Sequence, residues 1–286
     1  MPWGEDEYRQ LPHAAVQERL ADGRSRDAHK ADCFLVVPGP WRQGSGTGPR
    51  SRASRRLMTS ALLVWTMMTS PVLGADRVSR ARESRLADLD ALVAKAGLKR
   101  PLDEVYLRVF KEEAELELWA GRAGQSMVLL KTFPICAASG VLGPKREEGD
   151  LQVPEGFYEV PEFNATSSYH LAMKVSYPNA SDRIRGHRTH PGGLIYLHGE
   201  CASIGCIAIR NEPIEEVYLL SLEARRRPIH LDIYPFRFTA ERLAAPTPHQ
   251  SFWKELYAGD LEFQRTLRPP KVSVDPVTGA YHVRSR

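Results

Sequence analysis

From Asp103 onward, apolar residues recur at every second position, and this alternation restricts the chain more than any other feature. Val105, Leu107 and Val109 alternate with Tyr106, Arg108 and Phe110. After Lys111-Glu112-Glu113, Leu116 and Leu118 alternate with Glu115 and Glu117. Successive side chains of a strand point to opposite faces, so the pattern predicts a hairpin with one buried and one wet face. A strand continues over 126–135, and Ser139-Gly140 and Gly143-Pro144 then mark a loop. Residues 143–156 form a long polar loop with Gly and Pro at both ends. Further strands are expected at 157–161, 169–175, 194–198 and 229–234. Helical spacing of Leu86, Leu89, Leu92, Val93 and Ala96 predicts a helix over 80–97, with Gly97 as its stop. Asn211 is the expected cap of a second helix through Ile214, Val217, Tyr218 and Ser221 toward Arg225-Arg226-Arg227. The expected architecture is mainly β with flanking helices, an α+β fold.

The first 75 residues have another character. Residues 1–54 are rich in Arg, Gly, Pro and Ser and cannot bury much apolar surface, so they read as a disordered or non-native extension. Arg55-Arg56 then precede the apolar run Leu57–Thr69, and Ser70-Pro71-Val72-Leu73-Gly74-Ala75 ends in small residues. A positive start, a short apolar stretch and a small-residue cleavage site make a secretory signal peptide over 55–75. The expected location is therefore periplasmic, without a stable membrane anchor. The organisation that follows is a helical lead-in at 76–102, a catalytic domain at 103–236 and an appendix at 237–286. The appendix reads as a helical stretch around Phe252–Phe263, a Pro269-Pro270 break and a strand near Ala280–Val283.

Charge has to be read with that division in mind. The whole chain carries a formal +4, but residues 1–75 hold ten Lys and Arg against seven Asp and Glu. The rest is close to neutral, which removes the electrostatic case for a nucleic-acid partner. Three cysteines remain, Cys136, Cys201 and Cys206. An odd number leaves at least one outside any internal bridge, and a Cys136–Cys201 pairing is one that the sequence leaves open.

The densest chemistry runs from His187 to Cys206. Leu194–Leu197 is an apolar strand ending at His198-Gly199, and Ser203-Ile204-Gly205-Cys206 leads into apolar Ile207-Ala208-Ile209. A Cys after a glycine-containing turn between two buried strands can project its sulfur into a cleft. A His eight residues earlier can reach it and supply the base that a thiol needs at neutral pH. Gly205 lets the backbone approach a substrate carbonyl closely. Cys201 is the rival nucleophile, three residues after His198. His187, His190, His198 and Cys201 also have spacings a zinc site permits.

His198-Gly199 followed by Ser203-Ile204-Gly205-Cys206 resembles the signature of the L,D-transpeptidase (YkuD-type) catalytic domain, closest to its YafK-like branch. Phe110–Glu113 with Leu116–Trp119, Ile135-Cys136, Gly143-Pro144-Lys145, Gly149-Asp150 and Val153–Tyr158 extend the resemblance over residues 103–235. Ile204 stands where most members have His, Ala208 where many have Arg, and the turn from His198 to Cys206 is short. The resemblance implies a sandwich- or barrel-like β domain and acyl transfer on peptidoglycan stem peptides through a Cys206 thioester. It implies His198 as general base and acid, the Gly199 carbonyl as the group orienting its imidazole, and no metal or organic cofactor. Ser203, Gly205, Lys145 and Tyr158 are the expected substrate contacts. Lys145 also reads as a solvated loop charge, and Tyr158 as a core or cleft-wall aromatic. The acceptor is an amine or water, and an outer-membrane lipoprotein is a further acceptor or substrate to consider. A hydrolytic member that cuts a peptide or releases such a lipoprotein, a zinc peptidase and an inactive peptidoglycan-binding module are the alternatives.

Overall fold

The computed structural model describes residues 71–285, so residues 1–70, with most of the expected leader and all of the extension, lie outside the described part. Helix α1 (Pro71–Lys95) comes first, and its opening turn takes up the last residues of the expected leader. Leu89 and Val93 are buried, whereas Leu86 on the expected apolar face is 46% exposed. Among the described residues, no helix is long and apolar enough to cross a membrane.

Two five-stranded sheets follow. The first takes β1 (Glu104–Phe110), β2 (Glu115–Gly121), β3 (Val128–Pro134), β5 (Gly156–Glu159) and β10 (His230–Tyr234), in the order β3-β2-β1-β10-β5. The second takes β4 (Ala137–Ala138), β6 (Glu162–Asn164), β7 (Ala172–Lys174), β8 (Tyr196–His198) and β9 (Ile207–Ala208), in the order β4-β9-β8-β7-β6. Helix α2 (Ala180–Arg185) lies between β7 and β8 in sequence and α3 (Asn211–Ala224) between β9 and β10, and α3 packs against α1, β1, β7 and β8. One apolar core joins both sheets and α3 through residues such as Leu107, Leu118, Leu197, Ile207, Ile214, Val217 and Leu231. Most strands pair antiparallel, and β1–β10 and β8–β9 pair parallel, which makes both sheets mixed.

The wet face expected of the first hairpin is not wet. Tyr106, Arg108 and Phe110 are as buried as Val105, Leu107 and Val109. The cover comes from the segment expected as an appendix, which contributes α4 (Ala240–Ala244), α5 (Gln250–Thr266) and the hairpin β11 (Lys271–Val274) with β12 (Tyr281–Arg284). Phe263 of α5 packs edge-on against Tyr106 with ring centroids 5.0 Å apart. Arg108 spans from Glu117 to Asp260 of α5 by ion pairs, with its guanidinium over the Phe263 ring. Buried charges persist where such partners exist. Trp253 Nε1 of α5 donates to buried Glu155, which also accepts from Lys111 Nζ and the Gly143 N–H, so α5 is tied to the long loop. Sequence reading did not resolve α2, with its Asn179 capping box, or the short strands β6 and β11.

Candidate active site

Strands β8 and β9 position the chemistry. They run parallel in the register Leu197↔Ile207 and His198↔Ala208. Paired residues share a face and alternate along each strand, so His198 lies on the face of Tyr196 and Ala208. Carried back two residues from Ala208, the same alternation puts Cys206 on that face. Cys206 accordingly clusters with Tyr196 and with Ala172, which pairs with His198 on β7. Local sequence explains why the Cys stands there. Gly205 adopts φ +125°, a backbone conformation that residues with a Cβ avoid. The Ser203 hydroxyl donates to the Cys206 carbonyl at 2.6 Å and accepts from the Gly205 N–H at 3.2 Å. Ser203, expected as a substrate contact, is thus a staple of the turn.

His198 Nδ1 lies 2.6 Å from the Gly199 carbonyl oxygen. A carbonyl only accepts, so Nδ1 carries the proton and Nε2 holds the lone pair. Burial lowers the His198 pKa below its ordinary value, against the opposing effect of the Gly199 carbonyl. Burial thus favours the neutral imidazole, with its lone pair at Nε2. The Tyr169 ring packs on it with centroids 4.7 Å apart. A Cβ on Gly199 would lie 2.6 Å from Asn211 Oδ1 and 2.9 Å from the Tyr169 carbonyl, so the position needs glycine for close approach. Sequence reading did not single out Tyr169, which lies outside the His-to-Cys stretch, and took Asn211 for a helix cap, a position that Arg210 occupies instead.

Cys206 and His198 are 1% and 2% exposed. On the Cys206 side opens a cleft of about 440 Å³, walled by Lys145, Leu151, His190, Gly192, Leu194 and Ile204 among others. Neither Cys206 nor His198 lines it directly. The sulfur meets its wall at Leu194, whose carbonyl oxygen lies 3.8 Å from Sγ. Lys145 does reach the cleft, but its ammonium donates to Asp150 at 2.5 Å and to the Glu147 carbonyl at 2.8 Å. Burial opposes ionisation of Asp150, yet Lys145 and the N–H groups of Arg146, Gln152 and Glu147 hold its carboxyl below the usual range. The structure does not bring Tyr158 to the cleft. Its ring is buried in the core and its hydroxyl donates to Asp182 at 2.9 Å.

The remaining cysteines settle into a pair. Cys136 and Cys201 form a disulfide with Cα atoms 5.6 Å apart, which joins the end of β3 to the turn after His198. Cys201 is thereby removed as a nucleophile and as a metal ligand. The residues considered as zinc ligands are divided, with His187 and His190 on the cleft loop and His198 Nδ1 bound to Gly199. Among the described residues, no group of three or more His, Cys, Asp or Glu is placed to hold a metal.

A two-sheet α+β domain that carries a His and a Cys on one face of parallel neighbours belongs to a definable class. The profile of the L,D-transpeptidase catalytic domain, YkuD, matches residues 104–229. The protein named "Putative L,D-transpeptidase YafK" in Escherichia coli K12 is 38% identical over 186 residues, which cover 63% of this chain and 73% of that protein. The chain belongs to the YkuD family of L,D-transpeptidase catalytic domains, a family that acts on peptidoglycan peptides. Among solved structures, the helical cell shape determining protein Pgp2 from Campylobacter jejuni is 21% identical with a TM-score of 0.40, covering 61% of this chain and 64% of that one. Mycobacterium tuberculosis L,D-transpeptidase 1 is 13% identical with a TM-score of 0.27, covering 46% of this chain and 62% of that one.

Proposed function

We propose that the protein is a periplasmic cysteine acyltransferase acting on peptidoglycan stem peptides that contain meso-diaminopimelate. The observation that carries this is the His198 imidazole, tied through Nδ1 to the Gly199 carbonyl and favoured in its neutral form by burial, at the end of the strand whose Tyr196 packs with Cys206. Nε2 takes the thiol proton as Cys206 attacks the carbonyl after the L-centre of diaminopimelate. The Gly205 N–H is engaged by the Ser203 hydroxyl, so the backbone N–H at Cys206 serves the developing oxyanion. D-Ala leaves with a proton returned by His198, and a thioester remains. An acceptor amine, deprotonated by His198, resolves the thioester and gives a cross-linked or lipoprotein-linked product. Water in that position gives a shortened stem instead. Lys145 contributes by ordering the cleft loop through Asp150, and the leader over 55–75 delivers the enzyme to its substrate.

Product analysis on tetrapeptide muropeptides tests this. Dimeric products are expected with the native protein, and Cys206→Ser is expected to lower turnover by at least about a thousandfold, as loss of a nucleophile does. Full turnover by Cys206→Ser would sink the mechanism. Tripeptide alone, without dimers, would replace transfer by hydrolysis.

A further inference from the structure

We infer that Asn211 is a positioning residue for His198, acting through the peptide group between Gly199 and Glu200, an inference that rests on the acyl-transfer reading of the His198–Cys206 pair. The Gly199 C=O and the Glu200 N–H are two ends of one planar unit. The C=O accepts from His198 Nδ1 at 2.6 Å, and the N–H donates to Asn211 Oδ1 at 2.8 Å. Asn211 therefore fixes the rotation of the plane whose far end holds the imidazole. A hydrogen bond taken from the N–H also polarises the amide and builds negative charge on its oxygen, which makes it a better partner for an imidazolium. As Cys206 gives its proton to Nε2, the positive charge on the ring is met at Nδ1 by that oxygen. No proton moves beyond Nδ1, and the peptide group stays neutral.

Three departures from ordinary local structure point to the same contact. Asn is a strong helix-capping residue, yet here it stands one position inside α3, and Arg210 occupies the cap without any side-chain bond to the helix. Arg210 and Glu200 take φ of +69° and +54°, conformations a non-glycine residue adopts only under constraint. Gly199 leaves room for Oδ1, which a Cβ there would meet at 2.6 Å. The amide is oriented by a second bond, in which Nδ2 donates to Glu200 Oε1 at 3.0 Å. The local backbone gives up a capped helix start in favour of one carboxamide on one peptide plane.

The test compares the purified protein with Asn211→Ala and with the double variant Asn211→Asp, Glu200→Gln. In the double variant a carboxylate oxygen accepts the same backbone N–H, while the other accepts from the introduced amide. With histidine labelled by ¹⁵N, the His198 Nδ1–H proton of the native protein is expected far downfield and slow to exchange. In Asn211→Ala it should move upfield and exchange faster. kcat on muropeptide should fall about tenfold with KM little changed, and the acidic limb of the pH profile should move to lower pH because the imidazolium has lost support. The double variant should restore the resonance and bring kcat to within about threefold of native. An unchanged resonance and pH limb in a folded Asn211→Ala would overturn the inference. Should that variant unfold, the double variant decides, since a folded double variant lacking the downfield resonance overturns it equally. A native protein that turns over no muropeptide would remove the acyl-transfer reading alone, because the resonance is read without turnover.

Discussion

At His198 two forces act on one ring. Burial disfavours the imidazolium, and the Gly199 carbonyl favours it; burial wins, and the pKa is lowered. The sign of the consequence follows directly. A base is active when neutral, and a lowered pKa keeps it neutral further into acid. The acidic limb of kcat/KM is therefore expected below pH ~6.5, the ordinary value for histidine. A pH-rate profile on a tetrapeptide substrate checks it, and a limb at or above that value would mean that His198 is not the titrating base. The sequence proposes this candidate pair from local pattern, because glycine-flanked His and Cys at the ends of two apolar stretches need no distant information. Asn211 was not legible in this way. Read locally it is a helix cap, and only the path of residues 198–200 beside 209–211 turns its side chain to Glu200. Ser203 and Tyr158 illustrate the same limit. Each was an available polar group in sequence, and in the fold each is occupied by the protein itself.

At the scale of the elements, alternation predicted β1 and β2 but not what lies on their second face. Period two reports which residues share a face, and an aromatic and an arginine on the other face look solvent-tolerant until a partner arrives. The partner is α5, whose Phe263 and Asp260 lie more than 150 positions from Tyr106 and Arg108 in the chain. How closely α5 is seated can be read at Gly259. A Cβ there would come within 2.5 Å of the Phe157 ring. That ring is held edge-on by Tyr281, at a centroid distance of 4.9 Å. Helix propensity alone would favour Ala over Gly by about 1 kcal/mol. Overpacking costs about 1–3 kcal/mol and should prevail. Gly259→Ala is expected to lower stability by about 1 kcal/mol, read as a fall in the denaturant midpoint at unchanged slope. A rise in midpoint would show that α5 sits loosely on the sheet.

At the scale of the whole molecule, the described fold is stitched by one covalent link whose placement joins stability to the site. The Cys136–Cys201 disulfide closes a span of 65 residues that contains β4 through β8, and it ends one residue from Glu200. Closing a loop of that length removes chain entropy from the unfolded state and stabilises the fold by about 4 kcal/mol on a loop-entropy scale. Against the 5–15 kcal/mol that typically separates folded from unfolded domains, such a contribution is large. Such a bridge suits an oxidising compartment, in keeping with the proposed export. Cys136→Ala with Cys201→Ala is expected to shift the urea midpoint down by an amount corresponding to about 2–4 kcal/mol, and a reducing agent should do the same to the native protein. Cys206 would then be the one remaining thiol among the described residues, so within that span alkylation mapped by mass should report it alone. The turn that the bridge anchors also holds the Gly199–Glu200 peptide, so loss of the bridge should lower kcat more than it raises KM. If the midpoint fell and kcat stayed constant, the bridge would serve the fold alone, and Asn211 with the Gly199 backbone would suffice to hold His198.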